Sequence, residues 1–222
     1  MGKTTSGKES TSYKQIMKAT SIFGGVQAFN IIISIIRSKL IAILLGPAGM
    51  GIQGLLTSAT ALIGSLSNFG LGISAVKDIA AAKEENNESR IAKVVVVIRR
   101  LVWLTGSLGT IATFVFASWL SELSFGNEDY TIAFRWLSIT LLFTQLTNGQ
   151  NVLLQGLRRL KFLAQANMLG SAAGLLVSIP LYYYYGIDGI VPAIVLSGLL
   201  TLSVATDFIR KVSCNRQREQ SG

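Results

Sequence analysis

Six long stretches without a charged residue restrict what this chain can fold into. They lie at residues 19–36, 40–76, 101–121, 136–157, 162–187 and 189–206. Each reaches the roughly 18 residues that indicate a membrane-spanning helix. Half of all residues are hydrophobic and only 14% are charged, against about 25% in an average soluble domain. The sequence therefore predicts an all-α, polytopic membrane helix bundle with about six transmembrane helices.

Glycine, proline and charged residues set the predicted helix boundaries. The cluster at Gly46, Pro47, Gly49 and Gly51 divides the longest stretch, because such residues end or kink helices. Charged loops separate most of the later helices, and a glycine-containing turn separates the last two. We predict helices over residues 16–45, 52–76, 101–120, 134–154, 162–185 and 190–209, between a polar tail at 1–15 and a basic tail at 210–222.

The lysines and arginines predict an orientation. They are abundant in both tails and after the second and fourth predicted helices, and they are absent after the third and fifth. Because positive residues are retained on the cytoplasmic side, both termini are predicted to be cytoplasmic in a bacterial inner membrane. Trp119, Trp136 and the tyrosines at 182–185 fall at the predicted outer boundary, where amphipathic rings settle.

Several functional classes are poorly supported. The net charge of +9 could indicate nucleic-acid binding, but the basic residues lie in the connections between apolar stretches, so no nucleic-acid partner is expected. The chain has no histidine and one cysteine, Cys214, so it lacks a disulfide framework and a cysteine-histidine metal site. Glu84, Glu85 and Glu88 alternate with basic residues and indicate a solvated loop. We therefore expect a transporter without a cofactor rather than an enzyme.

A polar stripe on the first helix is the strongest candidate site. Three polar residues precede Arg37 at helical spacing: Gln27, Asn30 and Ser34. Lys39 lies about 200° further round the helix, so it need not share that face. One interpretation is an aqueous cleft in which Arg37 binds an anion, because guanidinium matches phosphate oxygens. The other is that both cations extend to the headgroups of the outer leaflet.

Other helices carry polar or small residues on one side. The second has Gln53, Thr57 and Thr60, and the fifth has Gly170 and Gly174 in a GxxxG pattern that is typical of helix packing. The fourth has a stripe formed by Thr140, Thr144, Thr147, Asn151 and Gln155, with Asn148 beside it. Such residues either enclose a hydrophilic path or join helices. The candidate substrate-binding residues are Arg37, Lys39, Gln27, Asn30, Ser34, Gln53, Thr57, Thr60, Asn148 and Asn151.

The segment from Ala19 to Ala80 resembles a known family. Its ISIIRSKLIAILLGPAGMGIQGLL and LSNFGLGISAVKDIA motifs are similar to the amino-terminal part of polysaccharide flippases. These are the O-antigen translocases of the multidrug/oligosaccharidyl-lipid/polysaccharide exporter superfamily. A weaker similarity continues through LLQGLRRLKFLAQANMLGS and YYYYGIDGIVPAIVLSG to the end of the chain.

The resemblance implies one lobe of a V-shaped, MATE-like transporter whose two lobes alternately expose a cationic cavity. The implied cargo is undecaprenyl-pyrophosphate-linked oligosaccharide for O-antigen, lipopolysaccharide or other surface polysaccharide synthesis. Arg37, with Lys39 beside it, would bind the pyrophosphate or the sugar. Implied partners are membrane lipids, a second lobe or subunit, and polysaccharide polymerase machinery. Because the family has two lobes, this chain is expected to be a truncated or half-length transporter. No coupling ion is identified.

Two alternatives remain open. Export of drugs or small cations by the related multidrug branch would require acidic residues within the helices, and only Asp207 comes near one. A non-transporting membrane scaffold would use the same apolar helices for packing alone. Translocation of a lipid-linked glycan would distinguish the flippase from both.

Overall fold

The computed structural model describes residues 5–68, 71–84, 88–157 and 159–220, and these residues contain helices but no strand. The helices are α1 (Thr5–Asn68), α2 (Leu71–Glu84), α3 (Glu88–Val115), α4 (Ala117–Phe125), α5 (Thr131–Gly156), α6 (Leu160–Tyr185) and α7 (Ile190–Gln220). A single 3-10 turn, Gly186–Gly189, joins α6 to α7. The predicted all-α class is confirmed.

Helix α1 is broken at Gly46, where φ is 69° and ψ is −171°. Glycine adopts a positive φ without the steric penalty of a side chain. Pro47 follows, and proline suits the first turn of a new helix because its missing N–H has no intrahelical partner there. The break divides α1 into an amino-terminal arm, residues 5–45, and a carboxyl-terminal arm, residues 47–68. The second arm begins directly after Gly46 rather than at residue 52.

Within the part of the chain that the structure describes, three apolar segments are long enough to cross a membrane: Gly24–Ser67, Ala92–Val115 and Leu160–Arg210. The first and third have 44 and 51 residues. At 1.5 Å per residue they would extend roughly 66 and 77 Å, about twice the ~30 Å hydrocarbon core. The break at Gly46 divides the first segment into two helices, and the 3-10 turn divides the third. These segments fit the predicted membrane bundle, and the side on which each terminus lies stays a prediction.

Several helix ends differ from those predicted. The segment 52–76 is divided, because α1 ends at Asn68 and α2 begins at Leu71. Helix α3 begins at Glu88, not residue 101, and ends at Val115. At the ends of the chain, α1 and α7 extend into the segments predicted as tails. Charge-free windows find the lipid-facing part of a helix, whereas lysine, arginine and glutamate are good helix formers and extend it beyond the window.

Helix α5 lies at the centre of the bundle and packs against each of the other helices. It is not among the three apolar segments, because threonine, asparagine and glutamine recur along it. The Gln145 side chain is 3% exposed, and its Nε2 donates a 3.0 Å hydrogen bond to the Gly64 carbonyl of α1. Leu62, Leu104 and Leu176 of the surrounding helices are 66–69% exposed and face outwards. The bundle therefore shields a polar central helix with apolar neighbours.

Candidate functional site

A polar cavity of about 290 Å³ lies among the amino-terminal arm of α1, α5, α6 and α7. Arg37 is the one charged residue among the described residues that line it. The remaining lining consists mainly of hydroxyl and amide side chains and glycines: Thr140, Thr144, Thr147, Asn148, Gly170, Ser171, Gly174, Ile194, Ser197, Gly198 and Thr201. We refer to this space as the arginine cavity.

Glycines bring the helices around the arginine cavity close together. A Cβ added to Gly170 would lie 3.0 Å from the Thr201 Cγ2, and one added to Gly174 would lie 3.1 Å from the Ser197 Cβ. A Cβ on Gly198 would lie 3.3 Å from the Thr140 Cγ2. Small residues at such positions allow helices to approach closely in a membrane. The GxxxG pair of α6 thus serves packing, as its sequence indicates, and also lines the cavity.

Arg37 is half-buried and directed towards α6. Its Nη2 lies 3.3 Å from the position that a Cβ on Gly174 would occupy. Its Nε is buried, and no hydrogen-bond partner for it occurs among the described residues. The Thr140 Oγ1 of α5 is in the same situation. Buried polar atoms without partners each cost about 1–3 kcal/mol.

Tyr182 lies near Arg37 and near Gln53 of the carboxyl-terminal arm of α1. Its hydroxyl is close to Gln53, to Ser178 and to the positive charge of Arg37. Tyr182 and Ser178 are only 3% and 2% exposed. Ser178 donates a 2.7 Å hydrogen bond from Oγ to the Gly174 carbonyl. Gly174, Ser178 and Tyr182 are four residues apart and share one face of α6. Arg37 lies beside this face at Gly174 and near Tyr182, and we call the face formed by these three residues the arginine slot.

Four of the ten candidate residues are associated with this cavity. Arg37 and Asn148 line it. Asn30 adjoins it, because its Oδ1 accepts a 3.1 Å hydrogen bond from the Oγ of Ser171, a lining residue. Gln53 lies behind it at Tyr182.

The structure places the other six candidates elsewhere. Gln27, Ser34 and Lys39 are exposed and do not line the cavity. The Thr57 and Thr60 hydroxyls donate to carbonyls one turn back in their own helix, at 2.7 and 2.6 Å. Asn151 is half-buried outside the cavity, and no partner for its Oδ1 occurs among the described residues. Helical spacing places these residues on shared faces, but it does not show which face meets another helix.

Several residues at the site are not among the sequence-based candidates. The sequence places Thr140, Thr144 and Thr147 on one stripe of the predicted fourth helix, and the structure adds them to the cavity lining. Residues with no sequence-based assignment to the site are Ser171, Ser178, Tyr182, Ser197, Gly198 and Thr201. A signal does exist: Ser197 and Thr201 of α7 repeat the four-residue spacing of Gly170 and Gly174 on α6. Small residues at matching spacing on consecutive helices indicate that the two faces meet.

A family model described as polysaccharide biosynthesis protein matches residues 16–220 of the chain. The chain belongs to this family. The matched region includes every residue that lines the arginine cavity. No curated protein and no solved structure gives a significant match. Membership confirms the family resemblance and connects the chain to polysaccharide biosynthesis and export.

The charge of the arginine cavity restricts the class of solute that can bind in it. One guanidinium supplies a fixed positive charge, and the described lining contains no carboxylate. Guanidinium binds phosphate oxygens through parallel N–H donors. Hydroxyl and amide groups, which both donate and accept hydrogen bonds, match the hydroxyls of a sugar. The lining therefore favours an anionic or sugar-bearing solute over a cation.

Proposed function

We propose that this chain moves undecaprenyl-pyrophosphate-linked oligosaccharide across the bacterial inner membrane for O-antigen or other surface polysaccharide synthesis. In this proposal, a second lobe or subunit forms the opposite wall of the transport path. Family membership supports the connection to polysaccharide. The observation that carries the proposal is the Arg37 guanidinium, which is half-buried in a hydroxyl-lined cavity and whose Nε has no hydrogen-bond partner among the described residues.

In this proposal, Arg37 binds a pyrophosphate oxygen and the surrounding polar groups bind the adjoining sugar. Asn148 of α5 and Ser197 and Thr201 of α7 line the wall that would receive the sugar hydroxyls. The volume of about 290 Å³ is at the lower end of the roughly 300–1,000 Å³ found for small-molecule sites. The cavity therefore receives the pyrophosphate and the nearest sugar, and the remaining glycan extends beyond it. Transport follows if the two lobes expose this site to each side of the membrane in turn.

The two other functions make different demands on the cavity. A drug or small-cation exporter needs a negative charge where Arg37 lies, and the described lining supplies a positive one. A scaffold needs the glycine contacts between α6 and α7 but has no use for a guanidinium in a cavity. Both alternatives would therefore tolerate neutralisation of Arg37, which the flippase would not.

The test compares Arg37→Gln with Lys39→Gln in vesicles that contain the purified protein and a lipid-linked oligosaccharide. Lys39 is the matched control because it is exposed and outside the cavity, two residues away. We expect Arg37→Gln to lower translocation at least about tenfold, since a charge-assisted hydrogen bond contributes about 1.5–3 kcal/mol. Lys39→Gln should stay within about twofold, as expected of an exposed charge. Equal translocation rates for both variants would reject the proposal.

A further inference from the structure

A second, larger groove of about 600 Å³ lies at the end of the bundle where α5 and α7 begin. It shares no lining residue with the arginine cavity. Most of its wall consists of large apolar side chains from α1, α5, the 3-10 turn and α7: Ile52, Leu56, Ile132, Ile187, Ile190, Val191, Pro192, Val195 and Leu196. Tyr130 and Trp136 add aromatic rings. We call this space the acidic groove, because its charged residues are Asp129 and Asp188.

The two carboxylates lie at the same end of the acidic groove. Asp129 comes two residues before α5 begins at Thr131, and Asp188 comes two residues before α7 begins at Ile190. Both side chains are exposed, and none of the described residues that line the groove is basic. The opening of the groove is therefore negative, and its interior is apolar.

The surroundings strengthen this local charge. The chain carries a net charge of +9, yet the connection between α4 and α5 adds Glu128 beside Asp129, and Glu122 lies in α4. Arg135 is the nearest cation along α5. Its guanidinium lies over the Phe114 ring of α3, 5.7 Å from the ring centre, and it does not line the groove. An anionic ligand would thus meet like charge at the opening.

We propose that the acidic groove binds a phospholipid whose headgroup carries an ammonium group, of the phosphatidylethanolamine class. One acyl chain lies along the apolar wall formed by α5 and α7. The ammonium is near Asp129 and Asp188, where opposite charges attract, and a phosphatidylglycerol headgroup lacks that attraction. Trp136 lies beside the acyl chain, in the position that amphipathic rings adopt at a membrane interface. This site is independent of the proposed flippase activity.

Trp136 offers a local measurement of which lipid occupies the groove. The chain has three tryptophans. Trp103 and Trp119 are exposed and outside the groove, so replacing both by phenylalanine leaves Trp136 as the single reporter. The protein is reconstituted in bilayers that contain equal amounts of phosphatidylethanolamine and phosphatidylglycerol. Bromine, which quenches tryptophan fluorescence, is placed on the acyl chains of one lipid or the other at constant overall composition.

We expect quenching to show about a two- to fivefold preference for brominated phosphatidylethanolamine, the range expected of exposed charge pairs. Asp129→Asn together with Asp188→Asn should abolish the preference. Glu122→Gln together with Glu128→Gln is the matched control, since these carboxylates occupy the same end of the bundle without lining the groove. The control should keep most of the preference, because charges that do not line the groove act on the headgroup from a longer distance and are screened by salt.

Three results would overturn the proposal. Equal quenching by both brominated lipids would mean that the groove takes any lipid. Absence of quenching by either brominated lipid would mean that protein covers the groove. A preference that persists without the two carboxylates would assign the selectivity to other groups. Because a carboxylate before a helix also stabilises that helix, circular dichroism must show that the double variant is folded. If it is not, each single variant should lose part of the preference.

Discussion

Helices α5 and α7 line both the arginine cavity and the acidic groove, but they contribute different residue types to each. On α5, Thr140 and Thr144 line the cavity, whereas Ile132 and Trp136 line the groove. Helix α7 likewise contributes small polar residues to one and branched apolar residues to the other. The cavity is positive and polar, and the groove is negative and apolar. A helix that faces both a polar interior and lipid can thus line two spaces of opposite chemistry.

Reversing the charge of one residue in each site should give the largest effects, and each reversal should change ligand binding at its own site only. We expect Arg37→Glu to abolish binding of undecaprenyl pyrophosphate, because it places a like charge beside the phosphates. The lipid preference at Trp136 should remain unchanged. Asp188→Lys should instead shift that preference towards phosphatidylglycerol and leave pyrophosphate binding intact. Binding in detergent and bromine quenching measure the two effects. Loss of both properties in either variant would mean that the sites are coupled.

The arginine slot can be disturbed without altering any charge. Gly174→Ala places a methyl group 3.1 Å from the Ser197 Cβ and 3.3 Å from the Arg37 Nη2. Overpacking of this kind costs about 1–3 kcal/mol. We expect a lower unfolding temperature and about a tenfold loss of pyrophosphate affinity, measured by thermal unfolding and ligand titration. Gly54→Ala is the control, because no atom lies within 4 Å of its added Cβ. Similar losses of unfolding temperature and affinity in both variants would show that the arginine slot does not position Arg37.

Removal of the Tyr182 hydroxyl should lower pyrophosphate affinity by less than the change at Gly174 does. Tyr182→Phe removes the hydroxyl that lies near Ser178, Gln53 and Arg37 but keeps the buried ring. We expect about a threefold loss of pyrophosphate affinity, the size of one neutral hydrogen bond. Tyr183→Phe, at a side chain that is 72% exposed, should change nothing. A ligand titration that gave equal affinities for the two variants would show that Tyr182 does not position Arg37.

Thr140 should give the smallest effect on stability. Its Oγ1 is buried, and no partner for it occurs among the described residues, whereas the Thr113 Oγ1 donates a 2.8 Å hydrogen bond to the Gly109 carbonyl. Thr140→Val removes a polar atom without breaking a bond within the protein, so it should be neutral or slightly stabilising. Thr113→Val should cost about 1 kcal/mol. Thermal unfolding compares the stabilities of the two variants. A larger loss of stability in Thr140→Val than in Thr113→Val would show that the Thr140 hydroxyl is already paired.

Several features of the fold and the site could be predicted from residue properties alone. A charge within an apolar stretch is costly, so Arg37 had to face a headgroup or a polar partner, and the structure places it at a cavity. The helix break lies within the predicted glycine and proline cluster, because Gly46 adopts a positive φ and Pro47 starts a helix. Both inferences depend on local chemistry, which the sequence carries.

Which residues line the arginine cavity depends on contacts between segments that are distant in the sequence. Helical periodicity shows which residues share a face, but not which helix meets that face. Lys39 and Ser34 are exposed although they lie within three residues of Arg37, and Thr57 satisfies its hydroxyl within its own helix. Ser197 and Thr201 belong to the cavity because Gly170 and Gly174 allow α7 to approach α6.

The sequence by itself determined an all-α membrane bundle, because long charge-free stretches are stable in lipid only when their backbone groups bond within helices. It also determined that the chain belongs to the polysaccharide biosynthesis family. Only the tertiary structure decided that α5 is central and that one cavity is positive while another groove is negative. The physical reason is that a cavity's charge is set by side chains from several helices, and their proximity depends on interhelical packing.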